Sequence, residues 1–174
     1  MDSKDRQILE ILQDDGRIAH TRLAEIVDLS APAVLARVRK LEERGIIRGY
    51  QAIVEPDKVG NPIISYVSVS LAHHRREPLE QFSARIRQLP QILEAYHLTG
   101  ETDYLLKIAV PSIPALEKFL TGQISTIPGV DKVRTSLVLS SIKTNGVVPI
   151  ELEHHANGSR NGSLVGANGY NGAI

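Results

Sequence analysis

The chain has 174 residues, 42% of them hydrophobic, with 20 basic and 20 acidic side chains and a formal net charge of zero. That length can bury a core in one domain or two small ones, and no apolar run approaches the ~20 residues that span a bilayer. There is no cysteine, which excludes thiol nucleophiles, disulfide frameworks and cysteine zinc sites. The polar start Met1-Asp2-Ser3-Lys4-Asp5 has no apolar segment resembling a secretory signal, so the expectation is a soluble cytoplasmic protein.

From Lys4 to Gln13, Ile8, Leu9 and Leu12 recur at helical spacing, and Asp14-Asp15-Gly16 stops the run. A short second helix is predicted from His20 to Val27. Ser30 then offers its hydroxyl as the N-cap of a third helix, with Pro32 in the first turn, where its missing N–H costs nothing. That helix puts Val34, Val38 and Leu41 on one stripe and Ala33, Arg37, Lys40 and Arg44 on another, and Gly45 fits the left-handed position that ends it. Ile46 to Val54 reads as a strand, and Glu55 to Pro62 as a linker. Beyond Pro62, Ile63-Ser65-Val67-Val69-Leu71 alternates as a strand. Pro78 opens a helix with Leu79, Phe82, Ile86 and Leu89 inward, and strands near 92–99 and 104–110 form a hairpin across Gly100-Glu101-Thr102-Asp103. A second helix over 114–126 and a last strand over 130–142 complete a β-α-β-β-α-β, ferredoxin-like unit. Both helices of such a unit cover one sheet face. Ile64, Tyr66, Val138 and Ile142 would line the other, so dimerisation through the sheet is expected.

The fold class is therefore α+β: a three-helix, winged-type helix-turn-helix over 1–49, a hinge strand and linker over 50–62, an α/β domain over 63–153, and a polar tail over 154–174 that is expected to be flexible. Within the first fifty residues acid and base are segregated: Asp2, Asp5, Glu10, Asp14 and Asp15 precede Arg17, Arg22, Arg37, Arg39 and Lys40. A local positive surface on a neutral protein is thus available. Two short helices joined by Asp28-Leu29-Ser30, the second basic outside, suit a motif whose second helix enters the major groove. Ser30, Ala31, Pro32 and Ala33 would lie nearest the base edges. Arg37 is the candidate for a bidentate guanine contact, and Arg17, Arg22, Arg39, Lys40 and Arg44 for phosphates.

These residues resemble a known family. Asp14-Asp15-Gly16-Arg17-Ile18, Leu29-Ser30, Arg37-Val38-Arg39-Lys40-Leu41-Glu42-Glu43-Arg44-Gly45-Ile46-Ile47 and Gly49-Tyr50 look like the DNA-binding half of the leucine-responsive and asparagine-type (Lrp/AsnC, feast/famine) regulators. Tyr96 to Lys107, with its Thr99-Gly100-Glu101-Thr102-Asp103 loop, and Ile127-Pro128-Gly129-Val130 followed by Val133-Arg134-Thr135 are similar to that family's effector and assembly domain. The resemblance covers about residues 4 to 150. It implies a transcription regulator of double-stranded DNA, and a dimer through hinge and sheet that often assembles into an octamer. It also implies an amino-acid effector where two dimers meet. By position the effector would meet Leu98, Thr99, Gly100, Glu101, Thr102 and Asp103, with Leu137, Val138 and Leu139 near its side chain. Loop N–H groups would receive its carboxylate and Asp103 its ammonium.

The chain departs from the family pattern at Ala19, where a Ser or Thr cap is usual, at Asp28 in place of a turn glycine, and at Thr102, a position often aromatic. No cofactor or metal is expected: His73-His74 and His154-His155 read as solvated histidines. Without a secretory signal, Asn157-Gly158-Ser159 and Asn161-Gly162-Ser163 carry no weight as glycosylation acceptors. No nucleotide loop, hydrolase elbow or zincin helix occurs. The rival readings are an architectural DNA-binding protein without a working effector site and an enzyme like the sirohaem decarboxylases, with His97 near a cleft.

Overall fold

The computed structural model describes residues 1–72, 76–144 and 146–151. The expectations for His73-His74, for the tail from 154 and for its glycosylation acceptors lie outside the described residues. The chain forms two compact units, Met1–Tyr50 joined by the described residues from Gly146 on, and Gln51–Asn145.

Three helices build the first unit: α1 (Ser3–Asp14), α2 (His20–Val27) and α3 (Ala31–Glu43). Their apolar stripes meet in one core of Ile8, Leu9, Leu23, Ala24, Val27, Val34, Val38 and Leu41. Each large aliphatic side chain in it contributes about 1.5–3 kcal/mol relative to exposure. The first turn of α1 staples the other two helices. Lys4 Nζ donates to the Val27 carbonyl at 2.5 Å, satisfying an orphan acceptor at the C-terminus of α2. Asp2 and Asp5 form a reciprocal capping box and both bond Arg37 of α3.

The helix ends follow the sequence punctuation. Ser30 Oγ accepts from the Ala33 N–H. Gly45, at φ 68°, closes α3 with Gly45 N–H to Glu42 O at 2.8 Å and Ile46 N–H to Leu41 O at 2.9 Å, the paired bonds of a Schellman cap. Asp28 ends α2 in the left-handed region, at φ 51°. Ala19 is the N-cap of α2 and supplies no side-chain bond. Ala19→Ser is therefore expected to stabilise this unit by about 0.5–2 kcal/mol, read as a rise in its unfolding temperature. An unchanged temperature would mean that the α2 amides are already satisfied by water.

The second unit contains β1 (Ile63–Leu71), α4 (Arg76–Ile86), β2 (Ile92–His97), β3 (Tyr104–Val110), α5 (Ile113–Phe119), which runs into a π-helical turn at Leu120–Ile124, and β4 (Val130–Leu137). The predicted helix over 114–126 thus changes pitch halfway, where Ser125 N–H reaches back five residues to Leu120 O. The sheet is antiparallel with order β2-β3-β1-β4, the ferredoxin-like arrangement. Val67, Val69, Leu106 and Ile108 pack with Phe82, Ile86, Leu116 and Phe119 in its core. On the same face Ser65 is fully buried, and its hydroxyl has no hydrogen-bond partner among the described residues. Ser65→Ala is expected to stabilise the unit by up to about 1–3 kcal/mol, the cost of an unmet buried polar group, again read by thermal unfolding. A loss of stability would show that the hydroxyl has a bond in solution.

Two predicted strands are corrected. Residues 46–54 form no strand, and the linker holds only a 3-10 turn at Asp57–Val59. Ile53 is 72% exposed, and a strand without a neighbour leaves its backbone groups to water. The last strand stops at Leu137 instead of 142, because its partner β1 begins at Ile63, just after Pro62. Ile64 and Tyr66 do lie on the face opposite the core, but Ile142 is 94% exposed outside the sheet. Cross-strand neighbours on that face include Tyr66, Lys107 and Glu94. Lys107 Nζ and Tyr96 Oη both donate to Glu94, at 2.9 and 2.8 Å, and these bonds hold the Glu94 carboxyl below the usual carboxylate range.

Candidate nucleic-acid interface and ligand cleft

The outward face of α3 is set by its buried stripe. With Val34, Val38 and Leu41 inside, Pro32, Ala36, Arg39, Lys40, Glu42 and Glu43 are the exposed positions, while Ala31, Ala33, Leu35 and Arg37 are half-buried. Arg17, Arg22 and Arg44 are exposed as predicted, and so is Ser30. Arg22 is paired with Glu25 at 2.7 Å, an exposed pair that competing phosphates can open at little cost.

Arg37 is engaged within the helical unit itself. Its Nη1 lies 2.7 Å from Asp2 Oδ2 and 2.6 Å from Asp5 Oδ1, so the guanidinium that was to read guanine is turned toward α1. The hydrogen bonds it donates to Asp2 and then to Asp5 hold its pKa above the ordinary arginine value. Exposed α3 cations are thus Arg39 and Lys40, and Ala36, not singled out from sequence, shares their face. Helical phase relative to Val34 and Val38 was the signal that could have found it.

In the second unit a cleft of about 360 Å³ is lined by Ser70, Leu71, Gly100, Glu101, Asp103, Asp131, Lys132 and Arg134. Gly100 (φ 123°) gives the loop its open backbone. Asp103 is its anchor: Oδ2 accepts from the Leu71 N–H at 2.7 Å, its N–H donates to Val69 O at 3.0 Å, and its carbonyl accepts from Leu98 N–H at 2.8 Å. Of the predicted effector residues, Gly100, Glu101 and Asp103 line this cleft; Leu98, Thr99 and Thr102 border it in sequence only. Leu137, Val138 and Leu139 do not reach it. Leu137 pairs with Ser65, five to six residues along β1 from Ser70 and Leu71, or roughly 17–20 Å. The structure adds Asp131, Lys132 and Arg134, which β4 brings beside the loop by pairing with β1. Three acids, Glu101, Asp103 and Asp131, and two bases, Lys132 and Arg134, thus share one cleft. Among the described residues no cluster of three or more His, Cys, Asp or Glu could hold a metal ion, and no helix is long and apolar enough to cross a membrane.

A helical unit with an exposed basic helix and an α/β unit with a charged cleft define a DNA-binding protein with a ligand-sensing domain. Residues 1–48 match the family model described as winged helix-turn-helix DNA-binding, and residues 64–148 that of the Lrp/AsnC ligand binding domain. The chain is 39% identical over 143 residues to the leucine-responsive regulatory protein of Rhizobium meliloti (strain 1021), covering 82% of this chain and 92% of the relative. It is 35% identical over 150 residues to the Bkd operon transcriptional regulator of Pseudomonas aeruginosa, covering 86% and 98%. Among solved structures, a Neisseria meningitidis transcriptional regulator in complex with L-Met aligns with TM-score 0.82 at 34% identity, covering 86% of this chain and 96% of that one. An AsnC family regulator from Agrobacterium tumefaciens aligns with TM-score 0.80 at 36% identity, covering 86% and 97%. The chain belongs to the Lrp/AsnC family of transcription regulators.

Proposed function

We propose that the protein binds double-stranded DNA sequence-specifically through α3, and that a free amino acid in the cleft of the α/β unit modulates that binding. It acts as a cytoplasmic, nucleoid-associated regulator and not as an enzyme. In this reading Ser30, Ala31, Pro32, Ala33 and Ala36 approach the base edges, and Arg17, Arg22, Arg39, Lys40 and Arg44 grip phosphates. Arg37 holds the helix in place. The observation that carries the sensing half is the mixed charge of the cleft. Lys132 and Arg134 suit a carboxylate, while Glu101, Asp103 and Asp131 suit an ammonium, the two charges every free amino acid carries. The L-Met held by the Neisseria relative supports the same ligand class.

Within one chain Leu137, Val138 and Leu139 stand away from the cleft, so their predicted part in selecting the effector side chain requires a second copy. This fits a homodimer or a higher assembly. The coupling is linkage: an amino acid that favours one arrangement of the DNA-reading helices changes affinity by about 1–3 kcal/mol. Thermal shift of the purified protein against the twenty amino acids, then duplex titrations at fixed salt with any that stabilise, tests this. A selective hit that changes duplex affinity is the expected result. Duplex binding without any hit would overturn the sensing half in favour of a ligand-independent DNA-binding protein.

A further inference from the structure

The chain leaves the helical unit at Tyr50 and returns to it at Gly146, and both crossings are fastened at the C-terminal end of α1. On the way out, the Tyr50 ring lies over Gly16, where an added Cβ would sit 3.2 Å from Tyr50 Cδ1, and its hydroxyl bonds Glu42 at 3.2 Å. On the way back, the Gln13 side-chain amide engages both backbone groups of Val148. Gln13 Nε2 donates to Val148 O at 3.1 Å, and Gln13 Oε1 accepts from Val148 N–H at 2.8 Å. This two-point clamp selects one residue of the returning segment, as a neighbouring strand would. Two residues on, Ile150 is half-buried against the helical core. Between the last sheet bond, Val138 N–H to Ile64 O, and Val148, the described residues 139–144 are exposed and outside any strand. The sequence pattern assigns 63–153 to one α/β domain, and the described residues from Gly146 on group with Met1–Tyr50.

We propose that residues 146–151 form a releasable latch on α1, so that the DNA-binding unit is tethered to the sheet unit by two chain crossings when the latch is docked and by one when it is released. Two hydrogen bonds at an exposed glutamine and one half-buried isoleucine are few contacts, which places docked and released forms close in free energy. A docked latch restricts how the reading helices can turn before DNA is met, and orientation fixed in advance is not lost again on binding.

Peptide-resolved amide exchange on the full chain, combined with affinity for a duplex selected from a random pool, tests the latch. In the wild type, 146–150 is expected to exchange more slowly than 139–144. Gln13→Ala should accelerate exchange of 146–150 about tenfold with α2 and α3 unchanged, and lower duplex affinity about three- to tenfold. Ile150→Ser, which acts from the other side of the contact, should do the same. Gln13→Glu, which keeps the acceptor for the Val148 N–H and loses the donor, should fall between. Exchange of 146–150 as fast as 139–144 in the wild type would overturn docking. Faster exchange in the variants at unchanged affinity would overturn the latch and leave a passive anchor.

Discussion

Arg37→Ala is expected to destabilise the helical unit by roughly 1–2 kcal/mol and to weaken operator and unrelated duplex by the same factor. The magnitude lies between two regimes. Exposed ion pairs contribute up to about 1 kcal/mol, and truncating a buried pair costs about 3–5 kcal/mol. The Arg37 side chain is 32% exposed, Asp5 16% and Asp2 54%. Removing the guanidinium leaves two carboxylates of the capping box facing each other without a cation and frees α3 from the first turn of α1. A base reader would behave differently, losing affinity for its operator while unrelated duplex is bound as before. That outcome would mean that the side chain leaves Asp2 and Asp5 when DNA arrives. The pH dependence gives a second check. The Asp5 N–H, and after it the Arg37 guanidinium, hold the Asp2 carboxyl below its ordinary value. A depressed carboxylate stabilises the fold above the unfolded value of about 3.9, and that contribution is lost as pH falls through the folded value. Stability of the wild type should therefore drop below about pH 4, and Asp2→Asn should flatten that limb in acid unfolding curves. An equally steep limb in the variant would assign it to other carboxylates.

The helices of the first unit were legible because their information is local. Helical spacing at Ile8, Leu9 and Leu12, the cap at Ser30 and the glycine at Gly45 each act within a few residues, and α2 occupies the predicted span from His20 to Val27. The ion pairs of Arg37 were not legible because its partners stand 32 and 35 positions away. A basic stripe in sequence does not say which of its cations another helix will take. The same limit hid half of the cleft: Lys132 and Arg134 reach the Gly100 loop only through the β1–β4 ladder, whose register no short window contains. It also lengthened two strands. Residues 46–54 and 138–142 carry strand-like apolar patterns, but a strand is completed by a neighbour's backbone, and the single chain offers neither segment one.

Asp103→Ala is expected to cost the α/β unit about 1–3 kcal/mol, because the Leu71 N–H loses a charged acceptor in a part-buried position. For a unit of this size that lowers its unfolding temperature by about 4–8 °C per kcal/mol. The loop from Leu98 to Asp103 would then lose its side-chain tie to the end of β1, and amino-acid-induced stabilisation should disappear as the cleft opens. That variant alone does not separate a structural anchor from a ligand contact. Asp103→Asn does, since its amide oxygen can still accept from Leu71 N–H while the negative charge is gone. Near-native stability with no thermal response to the amino acid that stabilises the wild type, and with duplex affinity retained in its absence, would assign the ammonium to Asp103. A normal response in Asp103→Asn, with loss confined to Asp103→Ala, would make Asp103 the loop's anchor only. The ammonium would then pass to Glu101 or Asp131, the other carboxylates of the cleft, and Glu101→Gln and Asp131→Asn would tell them apart by the same thermal measurement.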